Sequence, residues 1–278
     1  MVRPLYPIIL GPLTVNTVDT DGTVWLVQKF GGWSGEPESY LDVNRKPRQG
    51  GAWAGDGFTG ERVMPIGGLI TARTPALLNA AIRSLKAAVT NAPFRMEVSE
   101  SGEVGWCMAQ KQGETLAPRI TDLVAQFSIQ VVALDPRKLG ATVTGSTRLP
   151  STTGGLAIPY TIPYSINAAQ VTGQISLRNT GNVAGPIFGR IDGPCVGPVV
   201  THGSQVLSLP LLTLGAGEWL DIDFEKREVL ANGQASRNTF IGQRGWSTFE
   251  PGPNTWSFTA ASYTPGAQLS ITAVSADK

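Results

Sequence analysis

The chain has 278 residues, 41% hydrophobic and only 15% charged, with a formal net charge of +1. That composition describes a folded protein with a real core and excludes a disordered chain, and the near-neutral balance calls for neither nucleic acid nor an anionic membrane surface. With Gly 33 and Pro 20, many turns and many short strands are expected, in one large or two ordinary domains.

The first residues, MVRPLYPIIL, carry one charge and a short apolar run broken by Pro7, too short for a secretory leader. No stretch has the apolar length needed to span a bilayer. Residues 6–16 and 23–30 read as two strands of a hairpin around the turn Asp19-Thr20-Asp21-Gly22, followed by a loop over 31–37 that contains Trp33.

The next stretch, 41–58, is charged and Gly-rich. Arg45, Lys46, Arg48 and later Arg62 stand near Trp53, a grouping that reads either as a nucleic-acid patch or as a long loop or β-arm ordered by a neighbouring subunit. The second reading is preferred, because no nucleic-acid module accompanies the patch. Gly50-Gly51 is no phosphate loop, since GxxxxGK[ST] and a following helix are missing.

Residues 62–72 look like an edge or bulged strand, because Pro65 and Gly67-Gly68 interrupt it. A helix follows, with Thr74 as N-cap, Pro75 at its first position, and an apolar stripe of Leu78, Ala81, Ile82, Leu85 and Val89. Asn91 and Pro93 end it. Strands are expected over 94–100, 104–111 and 124–134, the last with Ala125, Phe127, Ile129 and Val131 on one face. Residues 139–164, rich in Gly, Thr, Ser and Pro, read as linker and connecting strands, and therefore as a domain boundary.

Short strands then recur over 174–179, 186–192, 205–209 and 218–224 between turn signals, as in a β-sandwich. In the last of these Leu220, Ile222 and Phe224 alternate with Asp221, Asp223 and Glu225, one face apolar and one acidic. Asn232-Gly233 is a two-residue hairpin turn. Trp246 to Phe249 reads as a strand, Pro251-Gly252-Pro253-Asn254 as a tight turn, and the final, aromatic strand after it places Trp256 and Phe258 on one face.

The order LDIDFEKREVLANGQ, then W-STFEPGPNTWSF, resembles the C-terminal part of distal tail (Dit-like) proteins of long-tailed bacteriophages. The strand ending in Asp135-Pro136-Arg137-Lys138, after hairpins and one helix, is also similar to the N-terminal unit of that family. The resemblance implies a mainly β protein of two domains. Residues 1–145 would be a tail-tube-type β-barrel or sandwich with one helix, forming a ring. Residues 146–278 would be a galectin-like β-sandwich. It further implies a structural hub in the virion tail tip, a homo-oligomeric and usually hexameric ring with a channel the genome can traverse. Its partners would be the tail tube protein and the tail-tip proteins. The hairpins before residue 44 and the segment 44–57 match no motif of the family, so ring contacts do not carry over by residue.

Three chemistries compete with a structural role. His202, the one histidine, lies in a THGS turn with no GxSxG elbow near it and reads as a surface turn residue. Asp221 and Asp223 share a strand face at a spacing that a retaining glycosidase could use, yet alternating acids opposite an apolar face are the ordinary solvent side of a strand. Trp219, Trp246 and Trp256 would be stacking platforms if the sandwich bound sugar; packing in the core or an interface is the preferred alternative. No catalytic, cofactor-binding or metal-binding residue is therefore assigned. Cys107 and Cys195, with no CxxC spacing, are expected as free thiols.

Overall fold

A computed structural model describes residues 6–100, 102–153, 169–171, 173–262 and 266–278. The fold is mainly β, and the chain divides into two units, Met1–Gly140 with Lys278 and Ala141–Asp277.

The first unit is built on one antiparallel sheet. Its strands run, from edge to edge, Leu13–Val15, Ile8–Leu10, Phe94–Glu100, Glu103–Lys111, Val124–Ala133, Arg62–Thr71 and Val24–Phe30. The two edges meet where the Trp25 N–H donates to the Thr17 carbonyl at 2.8 Å and Val18 bridges Val24, so the sheet curls towards a barrel. Alternation sets what lies inside: Ala125, Phe127, Ile129 and Val131 point into the core and Gln126, Ser128 and Gln130 out of it. Trp25 meets Phe127 edge-on, with centroids 6.0 Å apart.

The helix Pro75–Ala88 begins where expected. The Thr74 side chain accepts from the Leu77 N–H at 3.3 Å, and Leu78, Ala81, Leu85 and Val89 are buried. Burying Leu78 and Leu85 contributes about 2 kcal/mol each.

Two expectations for this unit are corrected. Residues 6–16 are two strands, because Gly11, at φ +57°, reverses the chain between Ile8–Leu10 and Leu13–Val15, and Val24–Phe30 pairs with Arg62–Thr71 instead. The strand Arg62–Thr71 is central, with neighbours on both sides. Pro65 is tolerated there because its carbonyl, and hence its missing N–H, faces the side where the ladder to Val24–Phe30 has ended. Gly31 N–H donates to that carbonyl at 3.1 Å. The bulge is present, but on the partner strand, between Val27 and Lys29.

The second unit is a sandwich of two antiparallel sheets. One has the order Lys138–Arg148, Gln268–Asp277, Ile187–Asp192, Trp219–Asp223, Glu228–Ala231 and Ala235–Ser236. The other runs Gln174–Asn179, Gly252–Thr259, Val199–His202, Gln205–Ser208 and Gln243–Arg244. Ile187, Ile191, Leu220, Ile222, Leu269 and Ile271 of the first sheet face Ile175, Val200, Leu207, Trp256 and Phe258 of the second, and these form the core.

The turn at Asn232-Gly233 has three residues, not two, since Ala231 pairs with Ala235 and Gln234 completes it; Asn232 and Gly233 are at positive φ, and the Asn232 carboxamide oxygen accepts from the Trp219 N–H at 3.0 Å. Trp246–Phe249 is not a strand; Phe249 only bridges Gly185. Gly252–Thr259 is not the last strand either, since Gln268–Asp277 follows it with Leu269, Ile271 and Ala273 buried. Within the span read as linker, Lys138–Arg148 is a strand and Ser151–Thr153 pairs with Ala169–Val171. Residues 154–168, with Pro159, Pro163 and Tyr164, lie outside the described residues.

Candidate functional site

The segment after the Trp33 loop is a hairpin of Ser39–Arg45 and Ala52–Thr59 that, among the described residues, pairs with no other strand and is exposed along its whole length. A two-stranded hairpin of this kind is only marginally stable in water by itself. Its apolar side chains are nevertheless large: Trp53 is 59% and Phe58 69% exposed.

The pairing shows how they are sorted. Tyr40 stands opposite Phe58 and Asn44 opposite Trp53, while an irregularity after Leu41 inserts an extra residue on the second strand. That extra residue turns Trp53 to the same face as Phe58 and Tyr40. The other face carries Leu41 and Val43 opposite Gly57 and Ala54. The hairpin thus has an aromatic face and a low, aliphatic face, and neither is covered within its own unit. Its tip holds Arg45, Lys46 and Arg48, with the Lys46 ammonium 5.8 Å from the Trp53 ring centre.

Arg62 does not belong to that basic tip. It is 1% exposed. Its guanidinium donates to the carbonyls of Pro136 (2.8 Å), Gly32 (2.6 Å), Trp33 (3.1 Å) and Gly35 (2.7 Å). Burial lowers its pKa from the ordinary arginine value. One side chain thereby ties the loop that leads into the hairpin to the strand that leaves it. The signal was present in the sequence: Arg62 falls in register with the inward residues Met64, Ile66 and Ile70. Trp33 is held in the same place, stacked on Phe30 and so close over Gly105 that a Cβ there would lie 2.9 Å from the indole.

On the second unit, the outer face of the sheet through Ile187–Asp192 and Trp219–Asp223 forms a groove of about 410 Å3, bordered by Phe188, Arg190, Asp221, Asp223, Glu228 and Leu230. Asp221 and Asp223 both have structural partners here. Asp221 accepts from the Trp219 indole N–H at 3.0 Å. Asp223 accepts from the N–H groups of Glu225 (3.1 Å) and Lys226 (2.9 Å) and pairs with the Lys226 ammonium at 3.2 Å, closing the turn that follows it.

All three tryptophans have packing partners. Trp256 is buried, Trp246 packs edge-on against Phe224, and the Arg190 guanidinium covers Trp219 at 4.7 Å.

His202 is a strand residue, not a turn residue. Its ring stacks on Trp256 at 4.4 Å, and Nε2 lies 3.0 Å from the Asn254 carboxamide oxygen. The Asn254 nitrogen donates to the Glu250 and Gly252 carbonyls, so its oxygen is the acceptor and Nε2 carries the proton. Burial lowers the His202 pKa, against smaller upward effects of Asn254 and Glu250. Cys107 and Cys195 are free and buried, and burial pushes their thiols up to about 12 and about 11, out of the reactive range. Among the described residues no group of His, Cys, Asp and Glu is placed to hold a metal ion. No helix there is long and apolar enough to cross a membrane.

No family model and no curated protein matches the chain. Solved structures do. The crystal structure of the SPP1 Dit (gp 19.1) protein, a paradigm of the hub adsorption apparatus in phages infecting Gram-positive bacteria, matches with a TM-score of 0.68 at 12% identity, over 98% of each chain. A chain of the phage P2 baseplate, in its activated conformation with Ca, matches with a TM-score of 0.51 at 9% identity, again over 98% of each chain. From end to end, then, the chain has the fold of the SPP1 Dit protein.

Proposed function

We propose that this chain is a structural hub of a bacteriophage tail tip, a distal tail protein that forms a ring joining the tail tube to the tip and receptor-binding apparatus. The observation that carries the reading is the whole-chain fold match to a hub adsorption protein, with 98% of both chains covered. A fold alone does not assign a function. The exposed hairpin adds an independent reason, because a marginal element with two apolar faces needs surfaces on both sides, and neighbouring subunits of a ring supply them. The ring is assigned to the N-terminal domain, residues 1–145, which holds the hairpin and the helix. The second domain follows, its first strand already under way before residue 146. Six copies is the order that the resemblance implies, with the assembled protein a component of the virion after synthesis in the host cytoplasm.

The side chains once in question for sugar binding or hydrolysis, Asp221, Asp223, Trp219, Trp246 and Trp256, all have packing or hydrogen-bonding roles, and none favours a lectin or a glycosidase over a hub. The deciding experiment is negative-stain imaging of the purified full chain with mass by light scattering. Rings with a central hole are expected. Monomers at every concentration would overturn the proposal.

A further inference from the structure

The groove on the outer face of the second unit has an unbalanced set of charges. Asp192, Asp221, Asp223 and Glu228 stand along this face against Arg190 and Lys226. Both cations are already engaged: Arg190 Nη2 is 2.8 Å from Asp192 Oδ1 and the guanidinium lies on Trp219, while Lys226 pairs with Asp223. Asp221 stands directly opposite Arg190 in the strand register and shares its charge with Asp192, while Glu228 has no cation within ion-pair distance among the described residues; two cations against four acids leave the face net acidic. Between them lie apolar surfaces, Leu230 and Phe188, the latter 43% exposed. The groove, about 410 Å3 and open to solvent along its rim, is large enough to receive a side chain of a partner. The chemistry it selects is a cationic group on an apolar stem.

That chemistry is present on the same chain. The hairpin tip carries Arg45, Lys46 and Arg48 with no acid between Asp42 and Asp56, no ion pair among the described residues, and Trp53 beneath Lys46. In a chain with only 15% charged residues, three cations clustered on a slender, fully exposed element are a concentrated charge. A contact between two different patches of identical chains is heterologous, and repeated around an axis it closes into a ring.

We propose that the cationic tip of the hairpin docks in the groove formed by Phe188, Asp221, Glu228 and Leu230 on a second copy of this chain. The inference rests on the ring reading and deepens it: besides contacts between N-terminal domains, the second domain of one copy holds the hairpin of the next and strengthens the ring. Arg45, Lys46 or Arg48 meets Asp221 and Glu228, the stems lie on Phe188 and Leu230, and salt weakens the contact because its rim is open to water.

The test is a charge swap. One variant reverses the tip, Arg45→Glu with Lys46→Glu and Arg48→Glu. The other reverses the groove, Asp221→Lys with Glu228→Lys, and Glu228→Lys alone serves if the double change lowers the melting temperature. Each variant alone should need about tenfold more protein to assemble, since like charges face each other. Mixed in equal amounts, they should assemble again, because every contact in an alternating ring is then complementary. Wild-type rings that neither variant disturbs overturn the docking but leave the hub reading standing. A wild-type chain that never assembles overturns both. Variants that each fail alone and stay monomeric when mixed also overturn the docking, and assign the groove to a different partner or to the variant's own hairpin.

Discussion

Two residues hold parts of the fold that their type alone would not indicate. Arg62 is a buried cation held by backbone carbonyls instead of a carboxylate, through Nε and Nη1, while its Nη2 is buried without a hydrogen-bond partner. Replacing it with Met removes the common donor of four carbonyls and is expected to cost about 3 kcal/mol. Lys should not restore it, since an ammonium lacks the planar fork that reaches several acceptors at once. Urea unfolding checks this, and an Arg62→Lys protein as stable as wild type would remove the fork from the explanation. His202 sets a pH dependence. Its folded pKa lies below the ordinary value of about 6.5, so protonation favours the unfolded chain. The stability it contributes is complete above that pH and is lost as the pH falls below it. The melting temperature should therefore drop between about pH 6.5 and pH 5 by more in wild type than in His202→Gln, which keeps a donor for Asn254. Equal slopes would show that His202 is not the group responsible.

Among the elements, the hairpin Ser39–Thr59 is the one whose local stability and surroundings disagree. It pairs only with itself and displays large apolar side chains on an aromatic and an aliphatic face. Deleting residues 46–56 keeps the root pairs Ser39 with Thr59, Tyr40 with Phe58 and Leu41 with Gly57, together with the Arg62 tie below them. The shortened chain should keep its thermal unfolding within a few degrees of wild type and lose the ring, as read by light scattering. A ring of unchanged mass would take the hairpin out of the assembly.

For the whole molecule, the useful boundary is earlier than composition places it. Lys138–Arg148 is the strand beside Gln268–Asp277, Leu149 is buried in the second core, and Gly145 leaves room only for the side chains of Ile175 and Leu177. A fragment of residues 141–278 should therefore be more stable than one of residues 155–278, by about 2–4 kcal/mol, because the shorter one loses a buried leucine and exposes a sheet edge. Comparing their denaturation midpoints decides it, and equal midpoints would return the boundary to the Gly-rich stretch. Within residues 139–164, limited proteolysis should likewise spare Lys138–Arg148, and halves nicked after Arg148 should stay associated until denatured.

The sequence by itself determined what local chemistry controls. Thr74-Pro75 starts the helix, Asn232-Gly233 supplies two residues able to take positive φ, and strict alternation assigns Ala125, Phe127, Ile129 and Val131 to a core. Each of these depends on neighbours within a few positions, and the sandwich of the second unit was legible from them. Tertiary structure decided whatever depends on a partner far away in the chain. Pro65 argued for an edge strand, yet it sits mid-sheet because the adjacent ladder ends beside it. Arg62 looked like one of four basic surface residues and is instead a buried tie between segments 27 to 74 residues apart. Trp219 and Asp221 belong together because an indole N–H needs an acceptor and a guanidinium needs a ring to cover, and Arg190 reaches them from the neighbouring strand. The lone hairpin could be seen in the sequence as a charged arm, but its two faces depend on one extra residue in its second strand, which only the strand register reveals.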